Sequence, residues 1–316
     1  MPTGRGVDRG ELPGAQMNTA PVTSAVPGTV VEVYAADPDP VFPPPPGLYA
    51  GVAEADYHGD HSSLSSSGAK TLLFSSPAQL RYDQAHPRPP KPEFDFGSAA
   101  HTLLLGAGPA IEVIDKPDWK TGEAQRKRRA AYEAGRIPLL AHDYTAVTAM
   151  VQVVLEHPLA GSLFAEGAPE VSGWWRDAET EAGLRLRIDW MTWAAERLVL
   201  VDYKTSLNAG RRAFAEAAAK FGYYVQHPFY VEGIRALGVH DDPDFVFVTQ
   251  CRTPPYTVTV CRLDAADVAL GHALGRAAVH RFARCQATGT WPDHSDRIHT
   301  VRLPGRVRHL AEELLS

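Results

Sequence analysis

The sequence predicts an α/β (α+β) domain, a mixed central sheet flanked by helices, on three observations. Apolar residues recur at helical spacing in the segments before residue 165. The middle of the chain then changes period from about four to about two over three consecutive segments. Beyond it come a long helical stretch, two more strand-like runs and an alanine-rich helix, an order that lays helices against a mixed sheet.

Residues 1–46 hold 10 of the 26 prolines and no lysine, and end in Pro43-Pro44-Pro45-Pro46. Such a stretch favours extended, solvated backbone over packing, so it reads as a disordered tail, with one domain over 47–316. Within that domain, 47–165 is mainly helical and 166–316 is the sheet-containing core. Ser65, Ser66 or Ser67 caps a short helix through Phe74, and Ser76-Pro77 supplies cap and first-turn proline for another through Ala85. A third helix spans Phe96 to Leu105, a short strand Ala110 to Ile114, and helices Glu123 to Ala134 and His142 to Glu156; the last carries Val147, Met150, Val151 and Val154 at helical spacing. Three strands follow, Glu170 to Asp177, Gly183 to Trp193 and Arg197 to Lys204. The helical segment Arg211 to Leu237 is expected to break or kink at Pro228. Strands Phe245 to Arg252 and Tyr256 to Leu263 and a helix Ala265 to Ala287 complete the reading.

Composition excludes several classes. The chain has 316 residues, 44% of them hydrophobic, enough to bury a full core. It contains no run of about 18 apolar residues and no basic segment leading into an apolar one, so neither a membrane span nor a secretory signal is expected, and a cytoplasmic location is expected. Cys251, Cys261 and Cys285 are odd in number and lack a C-x-x-C pair, which argues against disulfides, zinc fingers and iron–sulfur clusters. A net charge of -6 argues against a broad basic coat for nucleic acid, but not against a local site whose carboxylates await a cation. The basic run Gln125 to Arg129 reads first as a solvated helix face.

Chemistry concentrates in the central strands. The run Leu184 to Trp190 alternates, placing Leu184, Leu186, Ile188 and Trp190 on one face and Arg185, Arg187 and Asp189 on the other. A carboxylate beside two guanidinium groups suits a metal and phosphates respectively. The next strand is apolar until Asp202, and Lys204 follows on the same side, roughly 7 Å away at Cα. If these strands are neighbours, Asp189 and Asp202 can hold one divalent cation, and Lys204 can orient or deprotonate a water. A lone D-x-K is a weak signal, since surface ion pairs have the same spacing. Here the strand is too apolar for an exposed edge, the preceding strand brings its own Asp189, and Gln226 and Tyr230 stand one turn apart on the following helix.

These residues, with Gly47-Leu48-Tyr49, Tyr57-His58, Leu64-Ser65 through Ser76-Pro77, and the G-x-x-x-H segment Gly97 to His101, resemble the PD-(D/E)XK nucleases, and within them the RecE-like and RecB-like exonucleases of phage recombination. Arg187-Ile188-Asp189 is similar to that group's R-x-D strand, Val201 to Thr205 to its V-D-Y-K-T strand, and Gln226 with Tyr230 to its Q-x-x-x-Y helix. The resemblance implies a restriction-endonuclease-like core. It also implies Asp189 and Asp202 as metal ligands, the Tyr203 backbone carbonyl, His101 and Glu170 as further ligands, and Lys204 as the catalytic lysine. Gln226 and Tyr230 would line the DNA side, joined by Arg185 and Arg187. The expected cofactor is Mg²⁺, with Mn²⁺ substituting. The expected function is exonuclease action on linear double-stranded DNA, 5′ to 3′, by a homo-oligomer working with a RecT-like strand-annealing partner. A structure-specific endonuclease on the same fold and a catalytically silent DNA-end-binding module are the alternatives.

Overall fold

The computed structural model describes residues 33–36, 41–87 and 89–315. Strands β1 (Val33–Ala35) and β2 (Gly47–Ala50) lead into helix α1 (Glu54–Gly59), strand β3 (Ser63–Ser65) and helices α2 (Ser66–Phe74), α3 (Pro77–Ala85) and α4 (Pro92–Leu105). Ser65 and Ser76 cap α2 and α3 by accepting from the backbone N–H of Gly68 and Gln79, so the caps read from sequence are the ones used. Strand β4 (Ile111–Ile114), α5 (Gly122–Glu133), β5 (Ile137–Leu140), α6 (Ala141–Glu156) and α7 (Pro158–Phe164) complete the helical part. Three long strands follow, β6 (Ala168–Arg176), β7 (Gly183–Ala194) and β8 (Arg197–Ser206), then α8 (Arg211–Phe221), α9 (Tyr223–Ala236), β9 (Asp244–Cys251), β10 (Val258–Cys261), α10 (Ala265–Thr288) and α11 (Gly305–Leu315).

The sheet runs β1-β2-β6-β7-β8-β9-β10, with β3 added beside β7 and with β4 and β5 forming a separate parallel pair. It is mixed: β6, β7 and β8 are antiparallel neighbours, whereas β8 and β9 are parallel. Each face is covered. One buries Leu184, Leu186, Ile188, Leu198, Leu200 and Phe247 with Leu72 of α2, Phe214 of α8, Ile234 of α9 and Phe282 of α10. The other buries Val199, Val201, Tyr203 and Val248 with Leu104 of α4, Met150 and Val154 of α6 and Phe164 of α7. A sheet buried on both faces explains why β8 and β9 read as continuous apolar runs. No single helix among the described residues is long and apolar enough to cross a membrane.

Three expectations are corrected. Residues 1–46, expected as a disordered tail, join the fold where they are described: β1 pairs in parallel with β2, Val33 is only 2% exposed, and the Phe42 ring lies 5.7 Å from that of Trp174. Residues 1–32 and 37–40 lie outside the described set. Deleting residues 1–46 is therefore expected to cost at least about 2 kcal/mol, or roughly 5 °C in melting temperature, from apolar burial alone. A scanning calorimetry trace unchanged by the truncation would show that β1 and Phe42 contribute nothing.

The second correction concerns the helix break, which falls at Gly222 and not at Pro228. Gly222 adopts a left-handed φ of 67°, ending α8 and starting α9, and a Cβ there would lie 2.8 Å from Lys70 Cδ. Pro228 stays inside α9. Its missing N–H frees the Tyr224 carbonyl, which α10 approaches at Gly271 so closely that any Cβ would collide with it.

The third is the face of Trp190. Ile188 packs with the α9 side, but Trp190 packs with Phe164 and donates from its indole to the Leu163 carbonyl at 2.9 Å, on the opposite face. Strict alternation therefore ends at Asp189, between them.

Candidate active site

Strand pairing creates a fork at the position where alternation fails. On one side β7 follows β6 along most of its length. On the other it pairs with β8 only from Trp190 to Ala194, and with β3 only from Gly183 to Arg185. Past the Trp190–Val201 pair, β8 leaves β7 and continues beside β9 alone. Asp189 is the first residue of β7 inside the fork and Asp202 the first of β8, so two carboxylates flank its mouth.

Glu170 faces the fork from β6. The register Pro169–Trp190 and Val171–Ile188 brackets Glu170 opposite Asp189, and Glu170 holds a left-handed φ of 51° that a non-glycine residue adopts at a cost of about 1–2 kcal/mol. The strained backbone turns this carboxylate toward the same point as its neighbour.

His101 closes the group from α4. A Cβ on Gly97 would lie 2.8 Å from Thr205 Oγ1, so the helix approaches the end of β8 closely only because position 97 has no side chain. One turn later His101 places Nε2 3.2 Å from Asp189 Oδ2 and Nδ1 3.4 Å from Glu170 Oε1. Ligand atoms of His101, Glu170 and Asp189 all lie within 4.8 Å of one another. Burial works against a charged His101, but the Asp189 and Glu170 charges outweigh it and raise its pKa. Glu170 is itself raised by burial and by the Asp189 charge. For Asp189, burial is overcome by His101, Lys204 and the Tyr203 amide, which hold the carboxyl below its ordinary value.

Lys204 and Asp202 sit across the fork. Lys204 Nζ lies 2.5 Å from Asp202 Oδ1, and Gln226 donates from Nε2 to Asp202 Oδ2. Burial raises the Asp202 pKa more than the Lys204 ammonium lowers it, and the Asp189 charge adds a smaller push upward. Burial opposes the Lys204 ammonium, yet Asp202 and Asp189 together push its pKa up, so the lysine is held charged. Lys204 Nζ also stands 5.4 Å over the ring of Tyr223.

The predicted residues thus separate into two sets. His101, Glu170, Asp189, Asp202 and Lys204 meet at the fork. The backbone amide of Tyr203 donates to Asp189 Oδ2 at 2.9 Å, and since N–H and C=O of one strand residue leave on the same side, its carbonyl also faces β7. Gln226 and Tyr230 are brought to the site but are buried, 6% and 7% exposed, so they brace it from behind and do not present a DNA-facing surface. Arg185 and Arg187 are corrected more strongly. Arg185 is buried, donates to the Ser63 carbonyl and lies 3.7 Å from Asp60. Arg187 donates to Ser172 Oγ at 2.9 Å and to the Val52 carbonyl at 2.8 Å, and its guanidinium stands 4.4 Å over the Tyr57 ring. Arg185 ties β7 to the segment 52–65, whereas Arg187 ties it both to that segment and to β6, where its Nε also lies 3.7 Å from Glu170 Oε2 and so borders the site from within. Residues missed from sequence are Asp60, Ser66, Lys70 and Tyr223; only Tyr223 left a signal, one turn ahead of Gln226 on the same helix.

The donor set suits a hard divalent cation. Carboxylates with one imidazole match Mg²⁺ or Mn²⁺ preferences. Asp202 Oδ1 is buried with the Lys204 ammonium as its one polar contact among the described residues, and a carboxylate oxygen carries a second lone pair that a cation entering the fork could take.

A family model described as a PDDEXK-like domain of unknown function (DUF3799) matches residues 65–304. No match was found among curated proteins. Among solved structures, a crystal structure of a candidate exonuclease from Eubacterium rectale superimposes with a TM-score of 0.53 at 11% identity, covering 82% of this chain and 97% of that one. At that identity the likeness is one of fold, and it agrees with the mixed sheet and flanking helices described above.

Proposed function

Because the chain belongs to the family of PDDEXK-like domains, we propose that it is a divalent-metal-dependent DNA nuclease, a phosphodiester hydrolase acting as an exonuclease on linear duplex. The observation that carries this reading is the fork itself: three carboxylates, one imidazole and one charged lysine converge where β8 leaves β7. Asp189, Asp202, Glu170 and His101 would hold the cation, Mg²⁺ with Mn²⁺ substituting, which when bound neutralises charge on a phosphate and acidifies water.

The protein's own groups divide the remaining work. Lys204, held as an ammonium by Asp202 and Asp189, donates to the attacking water or to a phosphate oxygen; its raised pKa favours orienting and charge stabilisation over deprotonation. Gln226 fixes one oxygen of Asp202 so that the other stays directed into the fork. The Tyr203 amide does the same for Asp189. Tyr230, buried beside Ser66 of α2, backs the site with an apolar ring.

Action from ends, in the 5′ to 3′ direction, follows the resemblance to recombination exonucleases. It requires an entrance that a continuous duplex cannot use, which several copies of the chain enclosing a passage would provide, and a RecT-like annealing protein would take the exposed strand. The test compares a linear duplex, labelled at its 5′ or 3′ ends, with a covalently closed plasmid in Mg²⁺, alongside a sizing column. End-dependent nucleotide release with an intact plasmid is the expected outcome. Plasmid nicking at the linear rate would make the enzyme an endonuclease, and a monomeric elution volume would remove the enclosed passage.

A further inference from the structure

Lys70 enters the site from α2, a helix to which neither the strand motifs nor the family match assigns chemistry. Ser66 and Lys70 are one turn apart on α2: Ser66 lies beside the Tyr230 phenol, and Lys70 Nζ stands 6.0 Å over the ring of Tyr223. That ring also carries Lys204, at 5.4 Å on the same measure, so two ammonium groups share one phenol. The stem of Lys70 packs into the α8–α9 junction, where only the absence of a side chain at Gly222 leaves room for it.

What Lys70 lacks is a counterion. Among the described residues it forms no ion pair, and the nearby carboxylate of Asp202 is occupied by Lys204 and Gln226. A half-buried cation held next to a second cation is costly unless an anion arrives to balance it. Burial first, then the Lys204 charge, lowers the Lys70 pKa to about 8, as expected for an ammonium held without its partner. A phosphate at the fork would supply that anion, since Lys70 shares the Tyr223 ring with Lys204 and feels the charges of both Lys204 and Asp202.

We infer that Lys70 is a substrate contact, whose ammonium takes an oxygen of a nucleic-acid phosphate beside the one being cut. This rests on the nuclease reading above and adds a residue to it. Lys70 and Lys204 then divide the phosphates between them, Lys204 at the reacting group and Lys70 at its neighbour, with Tyr223 keeping the two ammonium groups apart.

The test uses the full chain carrying Lys70→Met or Lys70→Arg and a fluorescein-labelled duplex, with Ca²⁺ as a cation expected not to support cutting, so that binding is read without hydrolysis. Anisotropy titrations at several salt concentrations should show Lys70→Met binding about 10-fold more weakly, with the salt slope reduced by about one contact, while Lys70→Arg keeps most of the affinity. The melting temperature of Lys70→Met should equal or exceed that of the wild type, because removing an unpartnered charge relieves the fold. Affinity and slope unchanged in Lys70→Met overturn the inference, as does a weaker affinity that comes with a lower melting temperature and is not restored by arginine. Duplexes with 5′-phosphate and 5′-hydroxyl ends separate the two sources of phosphate: a loss confined to the former assigns Lys70 to a terminal monoester, an equal loss to an internal diester. A wild type that cuts DNA while Lys70→Met binds normally removes this inference alone; a wild type that neither binds nor cuts removes the nuclease reading itself.

Discussion

Lys204→Ala is expected to lower DNA hydrolysis by about 10²–10⁴-fold while leaving duplex affinity within about threefold of wild type. The lysine lies 2.5 Å from Asp202 and is held charged by Asp202 and Asp189, so its ammonium is fixed before substrate arrives. A preorganised charge acts most on the state in which charge develops, and therefore on turnover more than on binding. Lys204→Arg should not rescue the rate, because a planar fork cannot occupy the place of a compact ammonium between Asp202 and the Tyr223 ring. Single-turnover kinetics together with anisotropy binding separates the two quantities. Affinity falling in parallel with rate would make Lys204 a phosphate anchor and leave the water to another group.

Asp189→Asn is expected to reduce Mn²⁺ affinity on the order of 100-fold and to abolish measurable cutting, with little loss of stability. The asparagine keeps an oxygen to accept from the Tyr203 amide, so the fork survives, but it loses the charge at the centre of the His101–Glu170–Asp189 group. Isothermal titration with Mn²⁺, paired with thermal melting, reads both effects. Cation affinity equal to wild type would move the centre away from Asp189 and toward Asp202.

Much of this arrangement was legible in the sequence because it rests on local pattern. The apolar run ending in Asp202 and Lys204 marked a strand buried on both faces, and Ser65 and Ser76 marked the starts of α2 and α3. The residues that went unread depend on partners far away in the chain. Arg185 and Arg187 alternate with core residues as a phosphate-binding strand would, but Asp60 and Ser63 engage the first, and Val52, Ser172 and Glu170 the second. Gln226 and Tyr230 have the spacing of a surface stripe, yet α9 lies under α2 and the sheet, which buries them. The helix break moved from Pro228 to Gly222 because a proline inside a helix costs only its lost bond when a neighbour takes up the freed carbonyl, whereas a left-handed turn ends a helix outright. Val33 to Ala35 escaped notice since a three-residue strand within a proline-rich stretch carries no periodicity.

On the function proposed above, this fork of strands cuts phosphodiesters with the help of a divalent cation. The most direct test of that function is product release from an end-labelled linear duplex incubated with the purified full chain in Mg²⁺, in Mn²⁺ and in excess chelator. Labelled nucleotides released with either cation and none in chelator is the expected result, because Asp189 repels both Glu170 and Asp202, and a cation in the fork is the one partner that all three carboxylates could share. Cleavage undiminished in chelator, or no cleavage with either cation, would contradict it.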